Sequence, residues 1–371
     1  LDGGDHIRVL CLSDYALKDD ERIDYLKRYS EFKILEIVVL KYFRHRSSVL
    51  VRIAKRLILN HVIALAILRR NRIDACIYGW CDPRYKGFQT RVFSSARMLG
   101  IPNICVPHGQ NIFLNWDVNT HLVAYHAKTG CWPDFSPRNK YDSYIVQSEH
   151  HRELKIAWGM EPKKVLALGS MRFSPAWIQR HLEICSPYNG FSNNVLPAIR
   201  IVFFVPHWHY NVDIKKTVGL IQEIGNEEGT LLAVKAHTRG DGLSREVIDS
   251  LSTNSKIDLD AQAPSSSLID WSDIVINFGS SIGLEAIVRK KIVINPFFLH
   301  TNKTVYDQSG VVYDAQTSMQ VLSVIKDVKN GTLLSLGSNA FEPFMLSEIF
   351  AGEKSTEPVL RYKSLLIGLV G

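Results

Sequence analysis

Residues 274–295 read IVINFGSSIGLEAIVRKKIVIN. Two copies of the run IVIN bracket a segment of helical character, Ile282–Arg289. A β-branched run of four residues is too short for a helix and reads as a strand buried on both faces. Strand, helix and strand in this order form a βαβ unit, which places the two strands parallel in one sheet. Between the first strand and the helix stands Phe278-Gly279-Ser280-Ser281. Parallel sheets bind ligands beyond the carboxyl ends of their strands. Two hydroxyls at the start of a helix suit an anion without any lysine. Glu285, one turn into the helix, can accept ribose hydroxyls.

Outward from this unit the same alternation covers most of the chain. Residues 200–205 (RIVFFV), 231–235 (LLAVK) and 274–277 read as strands, with helices over 214–228 and around 268–272. In the first half, strands are expected over 6–13, 75–80, 102–107, 144–147 and 165–169. Helices are expected over 90–99, stopped by Gly100, and 147–158, capped by Ser148. Residues 186–198 (SPYNGFSNNVLPA) have a linker's composition. The expectation is an α/β protein of two Rossmann-like domains with parallel sheets facing a central cleft. Residues 1–185 would form an acceptor domain and 199–371 a nucleotide-donor domain. Residues 331–371 are weakly patterned and point to no function.

Composition bounds the function. Of 371 residues, 46% are apolar and 22% charged, which excludes a disordered chain. The net charge of +7 is too small for a nucleic-acid protein. The positive charge is local: residues 41–72 hold nine Lys and Arg and no Asp or Glu. Apolar residues there follow a helical period, so a basic amphipathic helix is expected, which either packs on the first domain's core with a solvated basic face or lies on an anionic membrane surface. No apolar stretch approaches the roughly 18 residues of a spanning helix. The six cysteines form no CxxC pair, and several stand in apolar runs, so reduced thiols and a cytoplasmic setting are expected, with the basic segment 41–72 as the candidate for peripheral contact with the inner membrane. The chain begins at Leu1 with no signal-peptide pattern.

Residues that follow strands carry the candidate chemistry. Asp82, after ACIYGW, stands where a catalytic carboxylate would face the ligand; Asp-Pro is equally a turn former. His108, followed by Gly109, can exchange a proton near neutral pH while backbone approaches a ligand. His207 and His209 flank Trp208 in a polar aromatic cluster suited to a nucleotide or sugar. With no third ligand nearby, that pair points to no metal. Lys235, His237 and Arg239 alternate at a strand end and suit a phosphate. Gly279, Ser280 and Ser281 complete the donor-binding set with Glu285.

The order of these segments, with VQSEHHRELKIAWGMEPKKVLALGSMRF between them, resembles bacterial surface-polysaccharide glycosyltransferases of the GT-B fold. The chain is most similar to the capsule and lipopolysaccharide group and to teichoic-acid glycerophosphotransferases. That resemblance implies phosphate binding by His237, Ser280 and Ser281, although Thr238 stands where the family has Pro. It implies a cytidine-linked donor, CMP-Kdo, CMP-sialic acid or CDP-glycerol, no cofactor or metal, and a glycan or lipid-linked acceptor. The base would be His108 by the teichoic-acid pattern or Asp82 by the sialyltransferase pattern. Glycosyl transfer is the leading expectation. Polyol-phosphate transfer, sugar-nucleotide 2-epimerisation and a non-catalytic GT-B module are the alternatives.

Overall fold

The computed structural model describes residues 6–13, 31–38, 60–79, 82–84, 87–107, 109–191, 199–237, 243–251, 254–259, 263–333, 336 and 338–371. In chain order the first elements are β1 (Ile7–Ser13), β2 (Phe32–Val38), α1 (Asn60–Arg70), β3 (Ala75–Gly79), α2 (Phe88–Met98) and β4 (Asn103–Val106). There follow α3 (Thr120–Thr129), β5 (Ser143–Val146), α4 (Glu149–Ala157), β6 (Val165–Ala167) and α5 (Pro175–Ile184). The next group is β7 (Ile199–Phe204), α6 (Ile214–Asn226), β8 (Thr230–Lys235), α7 (Arg245–Leu251), β9 (Ile257–Asp258) and α8 (Ser265–Trp271). The chain continues with β10 (Ile274–Asn277), α9 (Ile282–Val288), β11 (Ile292–Asn295), β12 (Tyr313–Asp314), α10 (Ser318–Asn330), α11 (Ser338–Glu348) and α12 (Pro358–Val370).

Two compact units result. Unit 1 comprises Leu1–Gln110, Pro133–Ser174 and Leu346–Gly371; unit 2 comprises Asn111–Trp132 and Pro175–Met345. They are therefore not the consecutive halves 1–185 and 199–371. The stretch read as a linker has aromatic residues with a surface to bury against. Tyr188 packs edge-on against Trp271 at 5.1 Å, and Phe191 stacks on the same ring at 5.5 Å. Ser267 Oγ donates to Ser186 O at 2.6 Å. Residues 186–191 thus sit on unit 2, and 192–198 lie outside the described residues.

In unit 1 the strand order is β2-β1-β3-β4-β5-β6, and the pairings are parallel. Val9, Leu10, Cys11 and Leu12 are all at most 2% exposed, so β1 is covered on both faces as its unbroken apolar run requires. Val359, Tyr362 and Leu366 of α12 pack on this sheet at 1–3% exposure. Each contributes roughly 1.5–3 kcal/mol of burial. The weakly patterned C-terminus is thus a structural return to the first sheet.

Unit 2 has the order β12-β11-β10-β7-β8-β9, again parallel. Ile274, Val275, Ile276 and Asn277 are fully buried, as the IVIN run predicts. From β7 the chain winds outward through β8 and β9, then returns to β10 on the other side and winds outward again. The switch point therefore falls between β7 and β10, which opens a crevice at their carboxyl ends.

Of the basic segment 41–72, residues 41–59 lie outside the described residues. Residues 60–70 form α1, with Ala64 and Leu68 buried and His61 Nδ1 paired with Ser95 Oγ at 2.9 Å. Among the described residues, no helix is long and apolar enough to cross a membrane. Cys11, Cys76 and Cys105 are buried as reduced thiols.

Candidate functional site

The switch point of unit 2 is lined by two loops. After β7 comes Pro206-His207-Trp208-His209-Tyr210, and after β10 comes Phe278-Gly279-Ser280-Ser281. The loops touch. A Cβ added to Gly279 would lie 3.7 Å from Pro206 Cβ and 4.0 Å from Phe113 Cε1, and Gly279 has φ +63°. Glycine takes this conformation without strain and keeps the backbone accessible.

The Ser280 turn is tied from below. Asn277 Nδ2 and the Tyr306 hydroxyl both donate to Ser280 O at 2.9 Å. Asn277 is fully buried, so the last residue of the IVIN strand is polar because it closes this turn. Both serine side chains remain partly exposed. Beneath the loop His300 stacks on Phe278 at 5.7 Å, and its Nδ1 accepts from Asn302 N at 3.1 Å. Burial lowers the pKa of His300, outweighing the opposing charge of Asp307, which favours a neutral ring.

The histidines form a connected series. His207 lies 4.7 Å from His209 and 5.5 Å from His237, ring centre to ring centre. His209 in turn lies 5.1 Å from His121 on α3. His207 Nδ1 accepts from His209 N at 3.2 Å. Tyr210 stacks on Phe113 at 5.4 Å. Asn302 braces the loop by donating to Tyr210 O at 2.8 Å and accepting from Asn211 Nδ2 at 3.0 Å. Asn211 itself has φ +54°, which asparagine tolerates better than most residues. Among the described residues, no group of three His, Cys, Asp or Glu side chains is arranged to hold a metal ion.

The other expected donor residues are placed differently. Lys235 Nζ donates to Ala263 O at 2.7 Å, tying β8 to the start of α8. Glu285 is 5% exposed; it accepts from Ser266 Oγ at 3.0 Å and faces Arg289 Nη1 at 3.5 Å. Its carboxylate thus joins α8 to α9. Arg239 lies outside the described residues.

In unit 1, Asp82 follows β3 and is 4% exposed. Arg84 Nη2 donates to Oδ2 at 2.8 Å, Arg84 Nε to Oδ1 at 3.1 Å, and Arg84 N to Oδ1 at 2.9 Å. The buried Arg138 lies 3.4 Å from Oδ2. Burial alone would raise the Asp82 pKa, but these hydrogen bonds and charges together lower it. His108 lies outside the described residues. Arg138 also sits over the Phe135 ring at 4.0 Å. Next to it Lys155, 9% exposed, lies 4.5 Å from Phe135 and 4.3 Å from Trp158. Burial first, then the charge of Arg138, brings the Lys155 pKa down to about 7.

Sequence reasoning missed His121, Asn302, Lys155 and Arg138. Asn302 and Arg138 do not directly follow a strand, and the two others lie on helices among other polar residues. Nothing local marks any of the four.

No protein-family model matches the chain, and no curated protein matches it in sequence. Solved structures do. The UDP-GlcNAc 2-epimerase from Neisseria meningitidis, bound to UDP-GlcNAc, superposes with a TM-score of 0.60 at 13% identity, covering 97% of this chain and 100% of that one. The UDP-GlcNAc 2-epimerase from Methanocaldococcus jannaschii gives 0.59 at 14% identity, covering 96% and 99%. A variant of the wall teichoic acid polymerase TagF soaked with CDPG gives 0.50 at 12% identity, covering 98% and 88%. At such identities the likeness establishes the fold: α/β, with two Rossmann-type parallel sheets of the GT-B kind, as the strand pattern predicts.

Proposed function

We propose that this chain is a sugar-nucleotide enzyme whose unit 2 holds the donor's diphosphate, and that it acts as a 2-epimerase on a UDP-linked sugar. The observation that carries the reading is the approach of Pro206, at the start of the His207–His209 loop, to Gly279 of the Ser280–Ser281 turn at the β7/β10 switch point, with His237 5.5 Å from His207. Imidazoles and hydroxyls on a loop braced from below suit a diphosphate whose charge changes during reaction. The epimerase reading is favoured over transfer because the neighbours with the higher TM-scores and near-complete mutual coverage are UDP-GlcNAc 2-epimerases by name.

Epimerisation at C2 takes a proton from one face of a C–H centre and returns one to the other, so it needs a base and an acid. Asp82 is poorly suited to that work, since its lone pairs are engaged by Arg84 and its pKa is lowered. We assign proton transfer to His108 by its position after β4, and to Asp82 the positioning of Arg84 and Arg138. The second reading is transfer from a CMP- or CDP-linked donor, of a sugar such as Kdo or sialic acid or of a polyol phosphate. It draws on the likeness to TagF soaked with CDPG.

The test is incubation of the full chain with UDP-GlcNAc in D2O without acceptor, followed by proton NMR. The C2 epimer carrying deuterium at C2 is the expected product. Stabilisation against heat by CMP or CDP, with none by UDP and no conversion, would replace this reading with transfer. Phosphorus retained in a transfer product would then identify the polyol-phosphate reaction. Nucleotide binding with no turnover of any donor would leave a non-catalytic module.

A further inference from the structure

A helix that buries none of its residues stands beside the β7 loop of unit 2. This is α3, ten residues long, and a helix this short is marginal in water by itself. It is held by its ends. Asn119 Oδ1 accepts from Leu122 N at 2.9 Å, and Gly130, at φ +67°, closes the other end on His126 O. Trp132 stacks on His126 at 4.0 Å and meets Trp116 edge to face at 5.4 Å.

The segment before the helix is laid into unit 2. Leu114 N donates to Lys303 O at 2.8 Å and Val305 N to Ile112 O at 2.9 Å, around an antiparallel bridge of Phe113 with Thr304. Further along, Asn211 Nδ2 donates to Asp117 O at 2.8 Å, and Thr120 N to His209 O at 3.0 Å. The first turn of α3 is thereby fixed against the loop that follows β7. Ordering ten residues costs conformational entropy, and α3 returns no core contact for it. What its anchoring places is the side chain of that first turn, His121.

His121 is the outer member of the histidine series. Its ring lies 5.1 Å from His209, which leads through His207 to His237. His121 and His209 are exposed, and among the described residues neither ring makes a hydrogen bond. A neutral imidazole offers one donor and one acceptor. A diphosphate held by His207 and His237 carries a nucleoside at one end and a sugar at the other, and His121 and His209 meet one of these. Their rings are tilted by 51°, so they form no parallel slot to sandwich a flat base. Sugar hydroxyls leave their ring in separate directions and match separate donors and acceptors.

Given a diphosphate at His207 and His237, as proposed above, we infer that His121 is a specificity-determining residue that hydrogen-bonds the sugar of the nucleotide donor, with His209 beside it. The helix α3 is then the carrier of this imidazole, and the nucleoside lies at the other end of the diphosphate.

The test is calorimetric titration of the full chain with UDP and with UDP-GlcNAc. His121→Ala should weaken UDP-GlcNAc binding about tenfold, the scale of one good hydrogen bond, and leave UDP binding within about twofold of wild type. His121→Gln, which keeps a donor and an acceptor, should recover part of the loss. Lys128→Ala, in the last turn of the same helix, should bind both ligands as wild type does. His121 is exposed, so thermal unfolding of its variants should match wild type. Equal weakening of UDP and UDP-GlcNAc in His121→Ala would put the imidazole on the diphosphate or the nucleoside. Unchanged UDP-GlcNAc binding would leave it outside the site, and an equal loss in Lys128→Ala would trace the effect to the helix as a whole. Each of these overturns the inference. Absence of UDP binding by the wild-type chain would sink the unit 2 reading and this one with it, a failure told apart from the others because it precedes any substitution.

Discussion

Asp82 and Arg84 meet fork to fork, with Nη2 to Oδ2 at 2.8 Å and Nε to Oδ1 at 3.1 Å, and the buried Arg138 closes on the same carboxylate from 3.4 Å. Removing the charge in Asp82→Asn leaves Arg138 buried without its counter-ion. Breaking a fully buried pair costs about 3–5 kcal/mol. Arg84 is half exposed and screened, so a loss of about 2 kcal/mol in urea unfolding at pH 7 is expected. The folded Asp82 has a lowered pKa, so its stabilisation is present above the ordinary carboxylate value and is lost as pH falls through the folded pKa. The two proteins should therefore converge in acid. A variant of wild-type stability that has lost all activity would instead return Asp82 to the role of base.

Lys155 makes the opposite linkage. Its ordinary pKa of 10.5 falls to about 7 in the folded chain, where the Phe135 and Trp158 faces are its neighbours. Between those values the unfolded chain holds a proton that the folded chain does not, so stability rises with pH across that window. Lys155→Met should be more stable than wild type at pH 7 by at least about 1 kcal/mol, with the gap narrowing toward pH 10. Denaturant melts at the two pH values decide it.

Glu348 is buried, and Oε2 has no hydrogen-bond partner. Burial raises its pKa despite the Ser347 hydrogen bond and the charge of His150. Stability is therefore lost as pH rises from the ordinary Glu value through the raised one. Glu348→Gln should gain about 1 kcal/mol at pH 7 and nothing at pH 4, as read by thermal unfolding.

The β10 turn depends on a missing side chain. A Cβ at Gly283 would lie 2.4 Å from Asn277 Nδ2 and 3.0 Å from Tyr306 Oη, the two groups that hold Ser280 O. Gly283→Ala should destabilise the chain by about 1–3 kcal/mol and weaken nucleotide binding as well. Unchanged nucleotide affinity in the folded variant would separate the Ser280 turn from the site.

His207 and His237, 5.5 Å apart, are expected to share one diphosphate. Each alanine substitution should weaken UDP binding about tenfold, near 1.4 kcal/mol. The double variant should lose less than the sum, because the two groups act on one ligand. Calorimetric titration of the four proteins measures the coupling, and strict additivity would place the rings on separate partners.

Strands were the most legible feature of the chain. Ile274–Asn277 and Ile292–Asn295 lie where the two IVIN runs put them, because a strand buried on both faces must be apolar throughout. Ser148 was legible as a helix start, yet its hydroxyl pairs with His151 Nδ1 at 2.8 Å rather than capping the backbone. The helix α3 and its His121 were not legible. No residue of α3 is buried, so no apolar period marks it.

The sequence by itself determined the α/β class and the strand ends where polar residues gather, because both follow from local patterning of apolar and turn-forming residues. Tertiary structure alone decided which of those residues act together. It brought Gly279 against Pro206 across the switch point, engaged Glu285 and Lys235 in packing, and paired Asp82 with arginines. It also returned Val359, Tyr362 and Leu366 to the first sheet from a C-terminus with little pattern of its own. Contacts between residues far apart in the chain depend on strand order and on complementary surfaces, and neither is written in any local stretch.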